Sequence, residues 1–126
     1  MGNANLLLRL YAELADAEEA EQLRCAITPQ IEAHARIEEH ESEPYWKIPA
    51  YYGLTLRLRP YGDPSMAFDN LVALSASGWT FSGGPLPHAR DAVWNPSPGA
   101  DFLSPKVKWA HLDLWYSQDE EQTGTV

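Results

Sequence analysis

The sequence predicts an α+β fold, a ferredoxin-like split βαβ-type sheet with two helices and extra strands toward the carboxyl end. Three observations carry that prediction. Residues 31–38 and 54–59 alternate apolar and polar side chains, the two-residue repeat of a half-buried strand. Two other segments show helical spacing behind an N-capping aspartate, Asp16 and Asp63. The resulting order is strand, helix, strand, strand, helix, strand.

Leu6-Leu7-Leu8-Arg9-Leu10-Tyr11-Ala12-Glu13-Leu14 is a short apolar run interrupted at Arg9 and Glu13. Its length favours a buried strand, while its leucine content leaves a helix open. Asp16 followed by Glu18, Glu19 and Glu21 opens a helix, because acids complement the positive amino end of the helix dipole. Ala20, Leu23, Ala26 and Ile27 make its apolar stripe, and Pro29 is expected to end it close to Ile27. Ile31, Ala33, Ala35 and Ile37 then point inward from a strand; the alternative is a second helix capped by Thr28 with Pro29 in its first turn. Glu39, Glu41 and Glu43 continue the inward parity although charged, so the strand must leave the core, bulge or turn its other side to water.

Pro44 to Pro49 reads as a connection bearing Tyr45 and Trp46, and Leu54, Leu56 and Leu58 mark the second strand of a hairpin. Asp63-Pro64 starts a helix expected over Met66–Ser77, with Phe68, Leu71, Val72 and Ser75 inward and Gly78 as its stop. Trp79-Thr80-Phe81 and Ala92-Val93-Trp94 are short strands. Lys106–Tyr116 closes the fold with Val107, Trp109 and Trp115 on one side and Ala110, Leu112 and Leu114 on the other, which predicts a strand covered on both faces, at least in part. Core packing is the default role for Trp79, Phe81, Trp94, Trp109 and Trp115. Residues 1–116 form a single expected domain, and 117–126 an acidic, disordered tail.

A length of 126 residues and a 44% hydrophobic fraction suffice for a core without disulfide or metal staples. Cys25 is the only cysteine, which excludes an internal disulfide and favours a reducing compartment. With no apolar run near the length of a membrane span and no basic-then-apolar leader, the chain is expected to be cytoplasmic. The net charge of −9 is uneven: residues 1–43 hold ten acids against three arginines, whereas residues 44–116 hold five acids against six bases. An acidic end on a near-neutral body disfavours direct nucleic-acid binding and suits a basic partner steered by long-range attraction, with plain solubility as the competing explanation.

Candidate chemistry is sparse. His111 and Asp113 lie two apart on one strand, hence on one face, and His88 and Asp91 lie three apart in a Gly/Pro-rich loop. Neither pair supplies a full ligand cluster, and a His–Asp pair is more often a structural hydrogen bond, so neither a metal nor a cofactor is expected. Cys25, near the apolar stripe of the first helix, is expected to be a small buried hydrophobe. Ser75 and Ser77 lack a nucleophile-elbow setting, and Gly83-Gly84 is no phosphate loop. Glu38, Glu39, Glu41 and Glu43 followed by Tyr45 and Trp46 combine steering charge with amphipathic anchors, which makes them the candidate partner-binding surface. A ligand pocket lined by the same aromatics competes with that reading.

The runs Gly78-Trp79-Thr80-Phe81-Ser82-Gly83, Asp91-Ala92-Val93-Trp94-Asn95 and Val107-Lys108-Trp109-Ala110-His111-Leu112 resemble small immunity proteins of bacterial polymorphic-toxin and contact-dependent growth inhibition systems. The resemblance covers about residues 78–115, in texture rather than in a diagnostic motif. It implies a non-catalytic protein that binds a cognate toxin carboxyl-terminal domain, often a basic nuclease, and blocks it. No functional residue transfers with it, because such families vary at the toxin-facing surface. The competing classes are a ligand-binding or regulatory ferredoxin-like domain and a small enzyme built on His111/Asp113 or His88/Asp91.

Overall fold

The computed structural model describes residues 3–83 and 90–117. The amino-terminal leucine run is strand β1 (Asn3–Glu13), which buries Leu6, Leu8, Leu10 and Ala12 on one face. Leu7, Arg9 and Tyr11 fall on the other by the alternation of a strand. Helix α1 (Ala17–Glu32) starts as its sequence requires: Asp16 accepts the Glu19 N–H at 2.9 Å, and the Glu19 carboxylate reaches back to the Ala15 N–H at 3.0 Å.

The helix does not stop near Ile27. It runs through Pro29, and Ile31 is helical rather than part of a strand. Burial explains the difference: Ala20, Leu23, Ile27 and Ile31 form one stripe at spacings of three and four, all packed in the core. Pro29 sits on the exposed side, where water can reach the Cys25 carbonyl that its missing N–H leaves without an intrahelical donor. Cys25 is exposed on that same side, against the expectation of a buried thiol.

Strand β2 (Ala35–Pro44) therefore begins late, and it extends through the glutamates. It pairs antiparallel with β3 (Tyr51–Pro60), and the register slips between Ile37 and Glu39. The extra residue, Glu38, resolves the parity conflict seen in the sequence. Ile37 stays opposite buried Leu58, while Glu39 and Glu41 move opposite Arg57 and Thr55 on the other face. A bulge was one of the three outcomes open to this segment.

After the Asp63 cap, whose carboxylate accepts the Met66 N–H at 3.1 Å, helix α2 (Pro64–Val72) buries Ala67, Phe68 and Leu71. It ends five residues short of Ser77. Ser75 leaves the helix because its hydroxyl accepts the buried Trp94 indole N–H at 3.0 Å and donates to the Ser77 carbonyl at 2.8 Å. Gly78, rather than stopping the helix, adopts φ +107° where a Cβ would lie 2.5 Å from both the Asn95 carbonyl and Trp94 Nε1. Only glycine fits that approach.

Strands β4 (Trp79–Gly83), β5 (Arg90–Trp94) and β6 (Val107–Ser117) complete a six-stranded antiparallel sheet of order β2-β3-β1-β6-β5-β4. The fold is α+β with two helices, as expected. Both helices cover the face lined by Leu8, Leu56 and Leu112, α1 against β2 and β3, and α2 against β6 and β1. The 95–106 segment closes the same side, with buried Phe102 edge-on to Trp79 and the Gln30 amide donating to the Leu103 carbonyl at 3.1 Å.

β6 departs from its expected faces. A second bulge places Ala12 opposite Val107 and Tyr11 opposite Trp109, so Val107 joins the core instead of sharing a side with Trp109. The second face of β6 is covered only in part: Trp109, His111 and Asp113 are half-buried there, and among the described residues no helix lies over them. The expected tail beyond Ser117 and the 84–89 loop with His88 lie outside the described residues.

Candidate functional site

The face of the sheet opposite the helices carries Asp91, His111, Asp113 and the glutamates of β2 past the bulge, whereas Cys25 lies on α1 and Ser75 and Ser77 follow α2, bonded to Trp94. Cross-strand pairing sorts it into rows. One row runs Glu43, Gly53, Tyr11, Trp109; the next Glu41, Thr55, Arg9, His111, Val93; the third Glu39, Arg57, Leu7, Asp113, Asp91.

The β2 side holds the candidate partner-binding residues. Glu39, Glu41 and Glu43 stand on one face of an edge strand, at alternate positions past the bulge. Glu38, at the bulge, pairs with Arg59 at 3.1 Å, and Glu39 approaches Arg57 at 3.8 Å. Glu41 and Glu43 make no ion pair among the described residues. Tyr45 stacks on Tyr11 with ring centroids 4.4 Å apart, and Trp46 meets Tyr45 edge-on while remaining 81% exposed. An open depression lies between Tyr11, Glu43, Pro44, Tyr45, Trp46 and Gly53. The structure thus brings five of the six residues, Glu39 to Trp46, to one end of one surface; Glu38 is set apart by its arginine.

The acids of the amino-terminal third do not form one continuous patch. Glu18, Glu19 and Glu21 ride on α1, on the helix side, where Glu19 approaches Lys106 at 3.8 Å. A hydrogen bond and the charge of Arg24 hold the Glu21 carboxyl below its usual range. Of the acids in the amino-terminal third, those toward the open face come from β2, with Glu13 at the end of β1 opposite Tyr51.

Sequence reasoning missed Tyr11, Gly53 and Trp109 as parts of this surface. Their signal was parity: on β1, position 11 shares a face with 7 and 9 rather than with the leucines at 6, 8 and 10. Gly53 in mid-strand marks a close approach, since a Cβ there would lie 3.0 Å from the Tyr11 ring.

Farther along the same face, β5 and β6 bring Asp91, His111 and Asp113 together. Asp91 is directly opposite Asp113, and His111 Nε2 contacts Asp91 Oδ1. One ligand atom from each of the three lies within 4.8 Å of the others. Burial pushes the Asp113 carboxyl above its usual range; His111 and Arg9 oppose that shift and Asp91 reinforces it. Across the strands Asp91 meets His111, which stays grouped with Asp113; His88, the other residue expected beside Asp91, lies outside the described residues.

No protein-family model matches the chain, and no curated protein or solved structure shows significant similarity to it. Among the described residues no helix is long and apolar enough to cross a membrane.

Proposed function

We propose that the chain is an immunity-type inhibitor that binds a basic toxin domain, without cofactor, through the Glu39–Trp46 end of β2. The observation that carries this reading is the bulge at Glu38. It turns Glu39, Glu41 and Glu43 onto one face of an edge strand that leads directly to the stacked Tyr11–Tyr45 pair and exposed Trp46. Surface carboxylates, Glu41 and Glu43 without an ion pair among the described residues, raise the encounter rate with a cationic surface, and exposed Tyr and Trp supply contact area at low entropic cost. The resemblance over residues 78–115 adds the class of partner. The proposal also includes a split βαβ ancestry for the sheet: β2-β3-β1-β6 with its two helices is the expected unit, and β4–β5 extends it.

The test is protection against the toxin domain encoded beside the chain's own gene. Association should slow by an order of magnitude or more as salt rises from about 50 to 500 mM, because a shorter Debye length screens steering. A Glu39→Lys/Glu41→Lys/Glu43→Lys triple variant should lose protection while keeping its fold, and Trp46→Ala should raise the dissociation rate. Full protection by the triple variant removes this surface from the proposal. A gene neighbourhood without any toxin removes the class.

A further inference from the structure

We propose that Asp91, His111 and Asp113 form a binding site for a divalent transition metal of the zinc class on the open face of the sheet. This goes beyond the inhibitor reading and does not rest on it. The set is mixed, one imidazole and two carboxylates, which is the donor chemistry of zinc and its borderline neighbours rather than of calcium or magnesium. It is also held by strand pairing. His111 and Asp113 are fixed two residues apart on β6, and the β5–β6 register sets Asp91 directly opposite Asp113. The sequence spacing offered two ligands on one face; the pairing of β5 supplies the third.

Like charges directly opposite each other on neighbouring strands are unfavourable. A divalent cation between Asp91 and Asp113 converts that opposition into a bridge. Their ligand atoms and that of His111, all within 4.8 Å of one another, need only side-chain torsion adjustments to reach the roughly 2.0–2.2 Å bonds of zinc. The contact between His111 Nε2 and Asp91 Oδ1 is where the metal replaces a proton, so uptake releases one wherever that proton is present.

Four side chains frame the set. Leu7 lies beside Asp113, Val93 and Arg9 are on either side of His111, and Trp109 has its ring 6.0 Å from the His111 ring. Arg9 is the one that opposes a cation, and it is exposed at the surface. The remaining coordination positions face outward, toward water or a donor from a partner. Three strand spacings, about 14 Å, separate the set from the β2 acids.

The experiment is titration of the metal-free full chain with Zn²⁺ alone, followed by calorimetry and by the NMR signals of the His111 ring. One Zn²⁺ per chain should bind, the His111 ring signals should shift stoichiometrically, and Mg²⁺ at equal concentration should leave them in place. Asp91→Asn, His111→Ala and Asp113→Asn should each weaken binding at least tenfold, with folding checked by circular dichroism. Arg9→Gln should strengthen binding several-fold by removing the opposing charge. Retention of full affinity in His111→Ala would place the zinc elsewhere and overturn the proposal. Failure of Zn²⁺ to move the His111 signals in the unmodified protein overturns it without relying on any variant.

Discussion

Replacing Gly78 with alanine tests how the carboxyl-terminal half is locked to the core. Gly78 has φ +107°, and a Cβ there would lie 2.5 Å from the Asn95 carbonyl and from Trp94 Nε1. The left-handed backbone alone costs an L-residue about 1–2 kcal/mol. Displacing a backbone carbonyl and a fully buried indole adds about 1–3 kcal/mol of overpacking. The expected loss is therefore about 2–5 kcal/mol, a large share of the stability of a small domain. Gly62 provides the control, because its φ is +75° and nothing lies within 4 Å of its Cβ position, so Gly62→Ala incurs only the backbone part. Urea unfolding followed by tryptophan fluorescence separates the two. With an m-value of about 1.5 kcal/mol/M, Gly62→Ala should lower the midpoint by about 1 M and Gly78→Ala by about 1–3 M. In a Trp94→Phe background, which removes the indole N–H bonded to Ser75 Oγ and the Ser77 carbonyl, the Gly78→Ala cost should shrink. Equal losses for the two glycines, within about 0.5 kcal/mol, would falsify the close-approach argument.

Pro29→Ala should stabilise the protein by about 1–3 kcal/mol in urea unfolding, since an interior proline costs a helix about 3 kcal/mol and this one makes up only part of that by stiffening the unfolded chain. Ile31→Ala, one residue from the carboxyl end of the same helix, should lose about 2–5 kcal/mol in the same assay, because Ile31 is fully buried. Native Cys25 should react with a thiol reagent as fast as the unfolded chain does, given its exposed position on α1. The pH dependence of Asp113 follows from its raised carboxyl, with the sign opposite to that of a salt-bridged aspartate. As pH rises through the ordinary value of 3.8, the unfolded chain loses its proton while the folded one keeps it. Stability therefore falls across the window above 3.8 and stays lower at neutral pH. Asp113→Asn, compared with wild type by thermal unfolding in EDTA, should gain in relative stability from pH 3 to pH 7; a constant difference refutes the assignment.

The fold was readable where local chemistry and burial agree. Asp16 and Asp63 capped the helices that their positions announce, and Leu54, Leu56 and Leu58 lie on the core side as their alternation required. Reading failed where the two disagree. At Pro29 the local penalty is about 3 kcal/mol, but burying Ile31 as well as Ile27 on the helical stripe offsets it. Val107 changed side because one extra residue in β6 reverses parity, and no local signal in Lys106-Val107-Lys108 announces that bulge. The glutamate run was a better case. Charged residues at inward parity demanded an interruption, and the bulge at Glu38 is that interruption. For the candidate surfaces, spacing along one strand was visible, as for His111 with Asp113, but the partners across strands were not. Tyr11 over Gly53 and Asp91 against Asp113 depend on register, which hydrophobic pattern alone does not set for an open face.

The two faces of the sheet follow different rules, and the difference bears on function. Toward the helices the strands pack the core, and buried Ser75 has both a donor and an acceptor role filled; among the described residues the exception is the Trp79 indole N–H, buried against Phe102 without a hydrogen-bond partner. Toward the open side three features have no packing role: opposed aspartates at Asp91 and Asp113, glutamates along an edge strand, of which Glu41 and Glu43 lack an ion pair among the described residues, and a tryptophan left 81% exposed at Trp46. Opposed aspartates cost stability and an exposed tryptophan costs solubility, and none of the three features is needed to hold the sheet, whose strands are already fixed by the core on the other side. Charge on an edge strand has a protective explanation, because it discourages edge-to-edge association. That explanation reaches Glu39, Glu41 and Glu43 but not Trp46, which works against it, nor the Asp91–Asp113 pair, which is two strands in from the β4 edge at Asp113. Those two exceptions are therefore where binding should be sought first. Neutralising Asp113 separates the two demands on that residue, since it should raise stability in EDTA while removing zinc uptake.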